Sequence, residues 1–428
     1  MEESIREVAM FRLKRASLIS EIWESSQRGS VVITGSPGGG KSWTIAQFVR
    51  ECKARKRPCL ALIAEDFAVE SLDELNSALG FKTDVISFLE SLTENPVLII
   101  DGLDALRSDL SQRTFRELIS AVSRRVPKCA IVVSIRTFDL QQSEELQSLF
   151  FAAPSVSSSR KFSQLVVQPF TDEEMLDIVQ QIPGLVTLLA GTRDEFKLLL
   201  RHPFNLHLAA QLMEGGATAQ ELSGLDSQVQ LLDKYWRWRI ETPMNRLDRK
   251  ALLRTVLNKM VERKSLSVAE GDVYSSGVGP VLTALQSDEI LRQSFTNRIS
   301  FVHNIIFDYA LARLVLDEDG VIGFIEADPS RTIFFRPSLA YFFYQLWLND
   351  RTTFWKVALV FFKSGSLPER AKILPAVAIY EAARSVNDLT PLLGVPLAKQ
   401  LCYPLVGYAA RTEASGIRGS QIVNPKVI

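Results

Sequence analysis

Between Ser30 and Phe170 the chain alternates short apolar runs with amphipathic stretches. The runs are "SVVIT" (30–34), "PCLALIA" (58–64), "PVLIID" (96–101), "CAIVVSI" (129–135) and "QLVVQPF" (164–170). Each has strand length, and none shows the apolar/polar alternation of a strand wetted on one face. Stretches such as "SLDELNSALG" and "SQRTFRELISAVSRR" between them carry apolar residues at helical spacing. Buried strands separated by helices predict a parallel sheet covered by helices on both faces.

Past Phe170 the strand pattern stops. Thr171 followed by Glu174 predicts a capping box that opens a helix. Helical patterns continue to about residue 265, through "DEFKLLL", "FNLHLAAQLM" and "QVQLLDKYWRWRI". Residues 279–316 then read as a helix, a short strand, the turn "FTNR", a second strand and another helix. Helices followed by a two-stranded hairpin suggest a winged-helix module. From about 319 the pattern is helical and rich in aromatic clusters, "IFFRPSLAYFFYQLW" and "TTFWKVALVFF", with no clean repeat. The final "GIRGSQIVNPKVI" reads as an unstructured tail. Five segments result: an N-terminal helical linker (1–29), the sheet domain (30–170), a small helical domain (171–245), a winged helix (246–318) and a C-terminal helical region (319–428).

Composition narrows the class. With 428 residues and 46% hydrophobic content the chain can bury a large core in two to four domains. Forty-nine basic residues balance forty-nine acidic ones, so no global field draws it to nucleic acid or an anionic membrane. Cys52, Cys59, Cys129 and Cys402 lack metal-ligand spacing, and so few cysteines fit a reducing cytosol. The charged N-terminus has no signal-peptide core, and no apolar run of ~18 residues predicts a spanning helix. A cytoplasmic protein is expected, with no membrane partner.

One motif brings chemistry. "GSPGGGKS" (35–42) fits G-x-x-x-x-G-K-[ST], preceded by a predicted strand and followed by a predicted helix. Phosphate oxygens are approached by several backbone N–H groups at once, which a Cβ would obstruct. Gly35, Ser36, Pro37, Gly38, Gly39 and Gly40 therefore form a candidate phosphate cradle, with Trp43 in the adjoining helical turn. Lys41 reaches the β/γ-phosphates, Ser42 binds Mg²⁺, and the helix N-terminus adds its dipole. About sixty residues on, Asp101 ends a buried strand, where it can hold Mg²⁺ through water. Asp104 reads either as a carboxylate that orients the attacking water or assists the metal, or as a helix N-cap. Arg136 follows the strand "AIVVSI" and reads as a γ-phosphate sensor or as a surface arginine.

These pieces in this order resemble the STAND class of AAA+-related P-loop NTPases, close to its NACHT group. "DGLDAL" (101–106) is similar to the NACHT-like Walker B pattern, and "SIR" (134–136) to the sensor-1 arginine. "RHPFNLHLAAQL" (201–212) resembles the helix start whose proline, here Pro203, packs against adenine. "ISFVHNIIFDYALARL" (299–314) resembles the winged-helix signature whose histidine, here His303, contacts the β-phosphate of ADP. By itself His303 also reads as a core histidine, and Pro203 as a helix N1 residue. The resemblance covers residues 8–320. It implies an α/β P-loop NTPase followed by an all-α domain, a winged helix and a C-terminal helical array. Two departures stand out. The acid usual after the second Asp is Ala105, which fits a slow switch better than a motor, and no effector module precedes residue 30. The chain then reads as a minimal switch, a truncated relative or one part of a split system.

The resemblance implies an ATP/ADP-dependent switch with Mg²⁺, which opens and self-associates when a protein or ligand trigger binds the C-terminal helices. Two other readings stand beside it: a DNA-binding AAA+-type regulator using the winged helix, and a scaffold with a degenerate nucleotide site. The helix "GPVLTALQSD" has no Lys or Arg, a poor start for phosphate contacts. "YWRWRI" (235–240) at helical spacing reads as packing rather than base stacking. Nucleic acid is not an expected partner.

Overall fold

The computed structural model describes residues 15–392, apart from 68, 82, 107–108, 152–161, 183, 275–276, 295 and 384. The first 14 residues of the expected N-terminal linker, Cys402 and the expected tail lie outside the described residues. The described chain packs as two compact units, each built from several stretches: 15–186 with 201–210 and 259–304, and 187–200 with 211–258 and 305–392. Residues 259–304, expected within a separate 246–318 module, pack in the first unit.

The first unit is organised by five parallel strands: β1 (Ser30–Gly35), β2 (Cys59–Ile63), β3 (Val97–Asp101), β4 (Ala130–Arg136) and β5 (Phe162–Val166). Their order is β2-β3-β4-β1-β5. Every expected run yields a strand, although β5 starts two residues before its run. Beyond it, Val167 N–H still donates to Thr34 C=O at 2.7 Å. Successive residues of each strand serve opposite faces. Val31, Ile33, Val97, Ile99 and Val132 pack with helices α1 (Ala16–Arg28) and α2 (Lys41–Ala54). Val32, Leu98, Ile100, Ile131 and Val133 pack under α3 (Leu72–Leu79), α4 (Val85–Ser91), α5 (Asp109–Arg125), α6 (Thr137–Gln142) and α7 (Glu144–Phe151). In β1, β3 and β4 the apolar runs lack alternation because both faces are covered, whereas the edge strand β5 is largely exposed.

The helix α8 (Asp172–Gln181) opens with the expected capping box. Thr171 accepts from Glu174 N–H, and the Glu174 carboxylate accepts from Thr171 N–H. Later in the chain an antiparallel sheet forms from β6 (Ser267–Ala269), β7 (Leu291–Gln293) and β8 (Arg298–Phe301), in the order β6-β8-β7. The hairpin β7–β8 was expected. Strand β6 was not, because three residues are too few for a period to register, and only pairing with β8 defines it.

The second unit is helical. Its core is aromatic, with Phe343, Trp347, Phe354 and Phe361 in edge-on contact across helices Arg336–Asn349 and Arg351–Lys363. Tyr235, Trp236 and Ile240 of "YWRWRI" are buried, and Trp236 lies 5.8 Å from Tyr309 between ring centroids. That stretch packs, as its spacing suggests. Among the described residues no helix is long and apolar enough to cross a membrane.

Candidate nucleotide site

Strand β1 is buried along its whole length and ends at Gly35, and α2 begins at Lys41. The five residues between must turn tightly. Gly40 does so at φ +91°, a left-handed conformation that a side chain resists. A Cβ on Gly39 would lie 2.9 Å from Ser36 Oγ, inside contact distance. Lys41 folds back over this loop, where Nζ donates to the carbonyls of Gly35 (3.1 Å) and Ser36 (2.9 Å). Burial lowers the Lys41 ammonium below its ordinary range, opposed by the Asp104 and Asp101 charges. Ser36 and Pro37 are exposed, Gly38 is half-buried, and Trp43 is half-buried in the first turn of α2.

The parallel order sets the other half of the site. Strand β4 lies between β1 and β3, so Ser134 of β4 can reach Asp101 of β3. Ser134 Oγ donates to Asp101 at 2.5 Å and accepts from Gly102 N–H at 2.8 Å. Ser42 also hydrogen-bonds the Asp101 carboxylate, joining the start of α2 to the end of β3. Burial raises the Asp101 pKa, and both serines oppose that rise. Asp104 is taken up differently. One oxygen accepts from Arg136 N–H at 3.0 Å and the other faces Arg136 Nε at 2.8 Å, with side chains only 5% and 8% exposed. Arg136 is thus a buried, paired cation rather than a surface arginine.

The segment opening with Arg201 lies against the loop. Phe204 N–H donates to Gly38 C=O at 3.2 Å. Pro203 Cγ is 3.5 Å from where a Cβ on Gly40 would stand. His202 Nε2 and Ser36 Oγ are 3.1 Å apart, with donor and acceptor set by the tautomer. His303 follows β8 and its ring stacks on Phe204, with centroids 4.2 Å apart and planes at 34°. Burial drives His303 down to about 3 and His202 to about 4, so both rings are neutral at physiological pH. Lys41, Pro203 and His303, far apart in sequence, belong to one compact unit.

Sequence reasoning missed a second charged cluster in that unit. Glu65 and Asp66 form a turn (Ala64–Asp66) directly after β2, and Arg292 of β7 pairs with both carboxylates. Ser267 Oγ donates to Glu65 C=O at 2.9 Å and Thr296 Oγ1 to Asp66 C=O at 3.1 Å. A signal for the acids existed, because "LALIAED" ends an apolar run in carboxylates as "VLIID" does. Arg292 had none. His202 was also missed, since the adjoining proline drew the reading.

The residues present fit a nucleotide with its Mg²⁺. The cradle is one that a Cβ would fill, a half-buried lysine caps it, and a serine–aspartate pair of hard oxygen donors adjoins it. This arrangement defines a P-loop NTPase. Residues 30–182 match the NACHT domain model, and the chain carries a NACHT-like P-loop NTPase domain. No curated protein matches the chain. Among solved structures it is similar to a signal transduction ATPase with numerous domains from Pyrococcus horikoshii, a STAND protein with a tetratricopeptide repeat sensor. The identity is 14% and the TM-score 0.40, over 96% of this chain and 65% of that one. It is also similar to the Aeropyrum pernix Orc1 protein in complex with DNA (15%, TM-score 0.38, 73% of this chain and 95% of that one). A third similarity is to a Walker-type ATPase of Pyrococcus abyssi (12%, TM-score 0.37, 72% and 99%).

Proposed function

We propose that the chain is a cytoplasmic nucleotide-dependent switch, closed around ADP and opened by exchange for ATP with Mg²⁺. The observation that carries this reading is the ring of contacts around the glycine loop: His202 on Ser36, Phe204 on Gly38, Pro203 beside Gly40, and His303 stacked on Phe204. A site framed by a sheet edge, a helix start and the end of a β-hairpin changes its nucleotide grip whenever those parts separate. A ligand shifts such an equilibrium only as far as it prefers one state. In this reading the P-loop N–H groups and Lys41 bind the phosphates. Ser42 and Asp101 hold Mg²⁺, which neutralises phosphate charge. Arg136 senses the γ-phosphate, and Asp104 holds that arginine in place. Pro203 packs against the base, and neutral His303 donates an N–H to the β-phosphate.

Trigger binding at the C-terminal helices would favour opening and self-association, in signalling or defence. A DNA-reading role gains no support from the helix Val278–Ser287, which has no Lys or Arg to meet phosphates. The test is nucleotide exchange on the full chain. Lys41→Ala is expected to abolish ADP and ATP binding, and His303→Ala to speed ADP release. Full ATP binding by the lysine variant would overturn the nucleotide site, and an unchanged ADP off-rate would remove the latch role of His303.

A further inference from the structure

Hydrolysis at this kind of site is helped by a carboxylate that can take hold of the attacking water. The two acids of "DGLDA" and the alanine after them do not offer one. Asp101 is engaged by Ser134 and Ser42, Asp104 gives both oxygens to Arg136, and position 105 is a buried alanine. The neighbouring turn does. Ile63 pairs with Asp101 in the β2–β3 register, and the turn Ala64–Asp66 packs against the turn Leu103–Ala105. Glu65 therefore lies at the sheet edge, in the turn that adjoins the one carrying the alanine, and its charge acts on Asp101. The Glu65 side chain is 14% exposed, whereas Asp66 is almost wholly buried.

Glu65 is not free to act. Its Oε1 is held by the Arg292 guanidinium, which also lies 3.3 Å from Asp66 Oδ1. Arg292 sits on β7, in the small sheet whose last strand leads into His303. Ser267 of β6 and Thr296 of the hairpin turn fasten the same two residues through their carbonyls. The part of the chain that brings His303 to the loop thus also withholds this carboxylate.

We propose that Glu65 is the water-polarising carboxylate that replaces the acid absent at position 105, and that Arg292 masks it while the β6–β8 sheet is docked. This rests on the nucleotide-switch reading and adds the control of its hydrolytic step. When the sheet moves away, Glu65 loses its cation and accepts a hydrogen bond from water. The water oxygen bonds to the γ-phosphorus as the bond from that phosphorus to the β,γ-bridging oxygen breaks. ADP leaves with the bond's electron pair, and the water proton passes to Glu65 and then to the inorganic phosphate. A closed chain then retains its nucleotide, and an open chain converts ATP to ADP and can close again.

The experiment uses the full chain with Mg²⁺, measuring single-turnover hydrolysis of labelled ATP and, in parallel, the affinity for a fluorescent ATP analogue. Glu65→Gln should slow hydrolysis by about a hundredfold or more while analogue affinity stays within about threefold. Arg292→Met should raise hydrolysis above wild type, Arg292→Lys should restore repression, and the Arg292→Met/Glu65→Gln pair should hydrolyse as slowly as Glu65→Gln. Thermal melts of each variant establish that it is folded. Wild-type hydrolysis by Glu65→Gln, or a double variant as fast as Arg292→Met, would overturn the proposal. So would an absence of hydrolysis in every variant that still binds the analogue. Failure of wild type itself to bind the analogue would instead overturn the nucleotide reading, and the proposal with it.

Discussion

Asp66→Asn should stabilise the first unit, and only above the pH at which Asp66 ionises in the unfolded chain. The Asp66 side chain is 1% exposed, and its Oδ2 has no hydrogen-bond partner. Burial pushes its carboxyl up from 3.8 to about 6, with the Glu65 charge adding to the rise and Arg292 and Arg298 opposing it. A rise of roughly two pKa units corresponds to about 3 kcal/mol against the ionised form in the folded state. The folded chain therefore holds a proton between pH 4 and 6 that the unfolded chain has released. The contribution of Asp66 to wild-type stability falls as pH rises through that window and stays level above it. An asparagine removes the charge but leaves a buried amide imperfectly paired, at about 1 kcal/mol. The net expectation is a gain of about 2 kcal/mol at pH 8, shrinking to nothing near pH 4. Calorimetric melts of both proteins from pH 4 to 8 test this, following the transition that amide exchange assigns to β2 and β6–β8. A variant that melts below wild type at pH 8, or a difference that does not vary with pH, would refute the reasoning.

Two further outcomes follow from the site. Arg136→Ala leaves the Asp104 carboxylate buried without its cation, so the first unit should lose about 3–5 kcal/mol in denaturant titrations. Gly40→Val forces a β-branched residue to φ +91° with its Cβ about 3.5 Å from Pro203, at a strain of about 1–3 kcal/mol. Calorimetric titration should show nucleotide binding lost while the fold survives.

The sheet was legible because four of its five strands are apolar runs between turn residues, a signal local to the sequence, and β5 overlaps a fifth such run. Thr171 and Glu174 were legible for the same reason, since a capping box is set by a spacing of three. The glycine loop announced itself because only glycine serves where backbone N–H groups must converge. The ambiguities in the sequence were those of partners. Asp104 read equally well as a water-orienting acid or a helix cap, and the fold instead ties it to Arg136, which arrives on a different strand. Strand β6 and the Glu65–Arg292 cluster went unread, although the acids were visible after "LALIA".

By itself, then, the sequence determined which residues could grip a phosphate, because a strand, a glycine loop and a lysine are consecutive in the chain. Tertiary structure decided what surrounds that grip. The placement of β4 between β1 and β3 brings Ser134 to Asp101, and the return of residues 201–204 and 303 brings His202, Pro203, Phe204 and His303 to the loop. Arg292 meets Glu65 across more than two hundred residues. Such pairings depend on long-range packing, and no local period or spacing in the chain records them.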